Sequence, residues 1–256
     1  MLEIRGVTKL FGGLAALHEV STSVSRDKIA GLIGPNGAGK TTLFNVITGF
    51  YKPTRGKVIY NSKDITGLQP FEVATCGIAR TYQQNNLFHE FSVERNIFLA
   101  SHARPKSGIV EDLMGTSSAR KKRGVIEQKI EEILSLLELT AFRHELAKNL
   151  PHGFQRMLGI GIALATEPEL MLLDEPFSGM NAAETESMMG HIRRIHKEKK
   201  IGVLLVEHDM KAVMGLCERI IVLNFGEKIA EGSPEEIQEN SAVIEAYLGV
   251  EDVVPY

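Results

Sequence analysis

Residues 29–49, IAGLIGPNGAGKTTLFNVITG, constrain the fold more tightly than any other stretch of the chain. Ile29 to Ile33 form a short apolar run that reads as a buried strand. Gly34-Pro35-Asn36-Gly37-Ala38-Gly39-Lys40-Thr41 follows and satisfies the pattern G-x-x-x-x-G-K-[ST]. Thr42 to Thr48 then reads as a helix that stops at Gly49. Strand, glycine loop and helix in this order make a phosphate-binding loop. The glycines let the backbone turn tightly and aim N–H groups at phosphate oxygens. The opening of the helix adds unpaired N–H groups and the positive end of its dipole. Lys40 supplies a full charge to β- and γ-phosphates, and Thr41 can place its hydroxyl on Mg²⁺. A plain glycine-rich turn is the alternative, and the flanking strand and helix disfavour it.

A chain of 256 residues allows one large domain or two small ones. Apolar residues make up 43% and charged residues 24%, as in a soluble globular protein. The net charge of −3 gives no bulk argument for nucleic acid or an acidic membrane surface, so no nucleic-acid partner is expected. Cys76 and Cys217 lack metal-ligand spacing and fit a reducing compartment. The start, MLEIRGVTKLF, has no signal-peptide core, and the longest near-apolar run, Met157 to Ala165, is far short of a membrane span. Work at a membrane would need other chains to cross it.

Leu2 to Val7 and Val20 to Val24 read as strands on either side of Phe11-Gly12-Gly13, and Val58 to Tyr60 is expected to pair with them in an antiparallel piece. Ile78 to Tyr82 reads as a strand running into Gln83-Gln84-Asn85-Asn86. From about Leu87 to Ala165 helical periodicity takes over. Val93 to Ser101 is one helix; Ile126, Ile130, Ile133, Leu134, Leu137 and Leu139 mark another. Arg104 to Gly124, with the basic run Arg120-Lys121-Lys122-Arg123, is expected as an exposed loop with a solvated charged patch; contact with lipid headgroups is the less favoured alternative. After Pro168 strands and helices alternate: Leu170 to Leu173, Ala182 to His196, Val203 to Val206, Met210 to Cys217, then strands Ile220 to Leu223 and Lys228 to Ala230, and two short helices between Pro234 and Tyr247. Continuous apolar strands alternating with helices predict a mostly parallel sheet covered on both faces.

Leu170-Met171-Leu172-Leu173-Asp174-Glu175-Pro176 is an apolar strand that ends in two carboxylates. Such a pair at a buried strand end is costly without a cation, which a Mg²⁺-nucleotide supplies. Asp174 is expected to hold Mg²⁺, and Glu175 to face an attacking water as general base. Val203-Leu204-Leu205-Val206-Glu207-His208-Asp209 is a second strand of the same kind. In parallel sheets ligands bind beyond the carboxyl ends of the strands, so His208 and Gln83 are placed to reach a γ-phosphate. Taken alone, each residue reads more readily as structural.

Together, Asn36-Gly37-Ala38-Gly39-Lys40-Thr41-Thr42, Thr81-Tyr82-Gln83, Leu172-Leu173-Asp174-Glu175-Pro176 and Glu207-His208-Asp209 resemble the ordered motifs of ABC-type ATPases. The closer resemblance is to ATP-binding subunits of branched-chain amino acid importers. Phe11-Gly12-Gly13-Leu14, Gly77-Ile78-Ala79-Arg80-Thr81, Gly179-Met180-Asn181, Glu207-His208-Asp209-Met210 and the ending Ile244-Glu245-Ala246-Tyr247-Leu248-Gly249 carry it. The resemblance covers the whole chain and implies a single α/β domain: a P-loop NTPase, RecA-like core with an antiparallel β-subdomain (1–86 and 166–256) and an inserted α-helical subdomain (87–165). It implies ATP and Mg²⁺ as cofactors. Gly34, Asn36, Gly37, Ala38, Gly39, Lys40, Thr41 and Thr42 would hold the phosphates, and Phe11 would stack on adenine. Thr41, Gln83 and Asp174 would hold the metal, with Glu175, His208 and Gln83 around the reacting phosphate. Asn181 would sit in a loop crossing to a second ATP-binding subunit.

One motif departs from the family pattern. Where Leu-Ser-Gly-Gly-Gln or Leu-Ser-Tyr-Gly-Gln is usual, this chain has Leu150-Pro151-His152-Gly153-Phe154-Gln155. Pro151 has neither the serine hydroxyl nor a backbone N–H. Gly153 remains, and in this family the segment serves the ATP bound by the opposite subunit. The implied function is a motor subunit at the cytoplasmic face of the inner membrane, paired with a second ATP-binding subunit and two polytopic permease subunits, and served indirectly by a solute-binding protein. Urea or amide import, lipopolysaccharide export and a low-turnover regulatory nucleotide-binding module are the alternatives.

Overall fold

A computed structural model describes residues 1–82, 87–102 and 117–248. Strands β1 (Leu2–Phe11) and β2 (Leu14–Val24) form a hairpin around Gly12 and Gly13. β1 also pairs with β4 (Arg55–Tyr60), and β4 with β5 (Lys63–Asp64), giving an antiparallel sheet in the order β2-β1-β4-β5. The expected antiparallel piece is therefore present, with longer strands. A second sheet runs β10-β9-β3-β8-β7-β6. Its members are β3 (Ile29–Ile33), β6 (Ile78–Arg80), β7 (Leu170–Asp174), β8 (Gly202–Val206), β9 (Arg219–Asn224) and β10 (Glu227–Gly232). Strands β9, β3, β8, β7 and β6 are parallel, and β10 is antiparallel at the edge.

Every residue of β3, β7 and β8 is buried. The pleat sends alternate side chains to opposite faces, so one short strand feeds two cores. Ile29 and Ile33, Met171 and Leu173, Val203 and Leu205 enter one core. Ala30 and Leu32, Leu170 and Leu172, Leu204 and Val206 enter the other. The second core is closed by the antiparallel sheet and by helix α1 (Lys40–Ile47), through Leu43, Phe44, Val46 and Ile47. The first is closed by helices α3 (Val93–Ser101), α4 (Ser117–Leu136), α5 (His152–Ala165), α6 (Ala182–Lys199) and α7 (Met210–Leu216). Helices α8 (Pro234–Gln238) and α9 (Ser241–Leu248) end the described chain.

Three elements differ from the sequence expectation. Helix α4 starts at Ser117, so residues 117–124 are helical where an exposed loop was expected. Ala119 and the basic residues that follow are good helix formers, and one interior glycine costs only about 1 kcal/mol. Helix α2 (Pro70–Thr75) lacks a long apolar period, but Pro70 in its first turn and a capping box between Gln69 and Glu72 start it. The expected strand 78–82 ends at Arg80, although the Thr81 N–H still donates to Leu172 O at 2.9 Å. Residues 104–116 of the expected loop, and Gln83, lie outside the described residues.

Candidate nucleotide site

The glycine loop joins β3 to α1. Gly34 has φ +148°, and a Cβ there would collide with the Leu223 carbonyl oxygen. Gly39, at φ +101°, caps α1, and a Cβ there would stand 2.7 Å from Ala16 O. The loop is thus wedged against β9 and β2, and only glycine fits those two positions. Gly226 clamps it further: its N–H donates to Ala38 O at 3.0 Å, and its carbonyl accepts from His18 N–H at 2.8 Å. Among the described residues no side chain caps α1, so its first N–H groups face the loop without a side-chain acceptor. Asn36, Gly37 and Thr41 are exposed, while Ala38 is buried; Lys40 and Thr42 are half-buried. The Lys40 ammonium donates to Gly34 O at 2.6 Å and to Pro35 O at 2.9 Å. Burial lowers the Lys40 pKa, and the charge of Glu175 opposes that shift.

The other candidates gather at the same sheet edge because the parallel register aligns the strand ends: Asp174 pairs with Val206, and Leu32 with Val206. Asp174 Oδ2 accepts from Arg80 Nη2 at 2.7 Å, with both side chains nearly sealed from solvent. The cation that the sequence assigned to Mg²⁺-nucleotide alone is thus already present as Arg80. Glu175 takes a left-handed φ of 47°; its N–H donates to Val206 O at 2.9 Å, and its carbonyl accepts from Arg156 Nη1 at 3.2 Å. Burial lowers the pKa of Arg156, against the charges of Glu207 and Glu175. His208 Nδ1 stands 4.0 Å from Glu175 Oε1 and 3.9 Å from Glu207 Oε2. Glu207 is 1% exposed. It accepts the Phe177 N–H at 2.8 Å and the His208 N–H at 3.1 Å, and burial raises its pKa despite these bonds.

Glu207, Arg80 and Arg156 were not singled out from sequence. Glu207 carries the same signal as Asp174, an acid closing an apolar strand, and that signal was enough to find it. Among the remaining candidates, Phe11 ends β1, is 42% exposed, meets Tyr51 edge-on at 5.2 Å, and has Lys9 Nζ 4.9 Å from its ring centroid. Gly153 is the second residue of α5, whose N-cap is Pro151. Asn181 caps α6, accepting N–H groups of Ala183 and Glu184 at 3.0 Å each.

The donor set suits a hard cation brought in with phosphates. Among the described residues no group of three or more His, Cys, Asp or Glu could hold a metal alone. The Thr41 hydroxyl and the Asp174 carboxylate offer oxygen ligands that phosphate oxygens can complete, as Mg²⁺ requires.

Fold and loop define a P-loop nucleotide-binding protein. A family model described as ABC transporter matches residues 17–178, and one described as Branched-chain amino acid ATP-binding cassette transporter matches residues 227–253. The chain is 40% identical over 97% of its length to the High-affinity branched-chain amino acid transport ATP-binding protein LivG of Escherichia coli (strain K12), covering 98% of that protein. It is similar to the crystal structure of the ADP conformation of an ATP-binding cassette of an ABC transporter, with TM-score 0.84 and 32% identity over 97% of this chain and 98% of the other. A dimeric post-hydrolysis cassette bound to ADP and Pi is similar at TM-score 0.75 and 26% identity, over 91% and 99% of the two chains. The chain belongs to the ABC transporter ATP-binding family and is an ATPase. Cassettes of this family work as dimers with membrane permease subunits. Among the described residues no helix is long and apolar enough to cross a membrane.

Proposed function

We propose that this chain is the ATP-hydrolysing motor subunit of an importer for branched-chain or related amino acids. The observation that carries the cargo assignment is the full-length similarity to the LivG protein, reinforced by the match at residues 227–253. Residues 1–86 and 166–256 form the RecA-like core with its antiparallel subdomain, and 87–165 form the helical subdomain that ends in the signature segment. The chain sits peripherally at the cytoplasmic face of the inner membrane. It pairs with a second ATP-binding subunit and two polytopic permease subunits, and a separate solute-binding protein delivers cargo. Pro151 favours a different chain as that second subunit, because this chain's own signature offers no hydroxyl to the opposite site.

Within the site, the Gly34–Thr42 loop binds the phosphates through backbone N–H groups, and Lys40 leaves its own loop carbonyls to take phosphate oxygens. Phe11 stacks on adenine. Thr41, Asp174 and Gln83 hold Mg²⁺, which supplies neutralising charge when bound. Glu175 takes the proton of the attacking water, and His208 holds the γ-phosphate from the next strand end. The left-handed turn at Glu175 supports its role, because it redirects the chain where β7 stops. Gly153 serves the partner's ATP.

The test is steady-state ATP hydrolysis by the chain alone, at rising concentration, and leucine uptake by vesicles that carry it with permease and partner subunits, with ATP inside and solute-binding protein outside. Leucine uptake that requires this chain and its hydrolysis supports the assignment. Hydrolysis-dependent uptake or extraction of another cargo, with none of branched-chain amino acids, sinks the cargo reading and leaves the ATPase standing.

A further inference from the structure

We infer that Arg80 is a built-in counter-cation for Asp174 that makes divalent-metal binding conditional on nucleotide. The inference rests on the proposed role of Asp174 as a metal ligand. Arg80 stands at the end of β6, its side chain 6% exposed against 10% for Asp174. Nη2 donates to Asp174 Oδ2 at 2.7 Å. Nη1 donates to Asn45 Oδ1 at 2.6 Å and to Thr48 Oγ1 at 3.3 Å, on and just after the helix that the phosphate loop opens. The guanidinium carbon lies 5.5 Å from the Phe44 ring centroid and 5.0 Å from that of Tyr82. Among the described residues the buried Nε finds no hydrogen-bond partner, so the group is oriented by Asp174 and Asn45 at some cost to its own satisfaction.

Hydrogen bonds and flanking rings hold this cation in place, and arginine keeps its charge at any pH at which the protein is folded. The fixed charges of the site then cancel: Lys40, Arg80 and Arg156 against Asp174, Glu175 and Glu207. A bare divalent cation meets a carboxylate already neutralised, and a like charge close behind it. The same cation carrying phosphate oxygens brings its own negative charge and its own ligands, so the complex binds where the free ion does not. Arg80 is thus a positioning residue that compensates the buried Asp174 carboxylate and keeps free metal out.

The experiment is an electron paramagnetic resonance titration of the full chain with Mn²⁺, first without nucleotide and then with ADP. It compares the parent, Arg80→Met, Asp174→Asn and the double variant. Without nucleotide, Arg80→Met should bind Mn²⁺ about tenfold or more tightly than the parent, a change of ~1.4 kcal/mol. The gain should vanish in the double variant and shrink when ADP is present. Arg80→Lys, which keeps the charge, should show no gain. If Arg80→Met does not fold, Arg80→Gln carries the same comparison with an amide donor in place. An ordinary architectural ion pair would lower thermal stability and leave Mn²⁺ affinity unmoved, and that result overturns the inference, as does a gain that survives Asp174→Asn. Asp174→Asn binding Mn²⁺-ADP as tightly as the parent would instead remove Asp174 from the metal site, a failure of the underlying assignment visible apart from any Arg80 data.

Discussion

Strands β7 and β8 run side by side, five buried residues each, and each delivers an acid to the same edge of the sheet. Asp174 closes β7 and meets a guanidinium; Glu207 follows β8 and meets two backbone N–H groups. The first arrangement leaves a carboxylate whose partner is another charge, so a competing cation can act on it. The second consumes both oxygens in fixing the backbone of Phe177 and His208, which positions the loop after Glu175 from the neighbouring strand. Two strings that look alike, an apolar run closed by an acid, thus differ in what their carboxylates meet. What separates them is the company of the side chain. The two residues that follow, Glu175 and His208, approach each other at 4.0 Å across the strand gap.

The division can be broken by substitution. Glu175→Gln should lower ATP turnover by about 10²–10⁴, the range for a lost general base, with nucleotide affinity retained; turnover near the parent value would count against Glu175 as the base. Glu207→Ala should leave two N–H groups without their acceptor in the interior, at about 3 kcal/mol. Thermal unfolding should fall by roughly 10 °C, and a melting temperature within a degree or two of the parent would show that Glu207 is not structural. The contrast sharpens if Glu175→Gln leaves the melting temperature unmoved. Phe11→Ala, on the other sheet, should weaken nucleotide binding about tenfold by loss of base stacking, with turnover at saturating ATP nearly unchanged; unchanged affinity would take Phe11 out of the site. Smallest in effect is a reporter below the strands. Cys217 is buried, and burial, reinforced by the charges of Glu207 and Glu218, pushes its thiol up to about 12. Its thiolate fraction at pH 8 is therefore negligible, and mass spectrometry after brief alkylation should find Cys76 modified and Cys217 intact.

Much of this was legible in the sequence, for physical reasons that can be named. Buried parallel strands must be apolar throughout, so β3, β7 and β8 stand out, and the glycine loop marks the edge where ligands bind. Val93–Ser101 matched its expected helix residue for residue, with Ser92 as its cap. Legibility failed where a residue's role depends on a distant partner. Arg80 and Asp174 are far apart in sequence, and nothing in either string announces their bond. Arg156 likewise reaches the Glu175 carbonyl from α5. The first turns of helix α4 are hidden because a polar, basic stretch reads as loop, although its residue types favour helix once the apolar turns behind them dock.

The order of the second sheet has a consequence for how the protein is made. Strand β3, which carries the phosphate loop, pairs only with β8 on one side and β9 on the other. Roughly 170 residues separate it from the first of these, so at about 5–20 residues per second a ribosome needs something like ten to thirty seconds to supply a neighbour. During that interval this buried apolar strand of the phosphate site has two open edges and no ladder. The nascent chain therefore carries an unpaired apolar strand, open to misassociation, from the moment its best-marked motif has emerged.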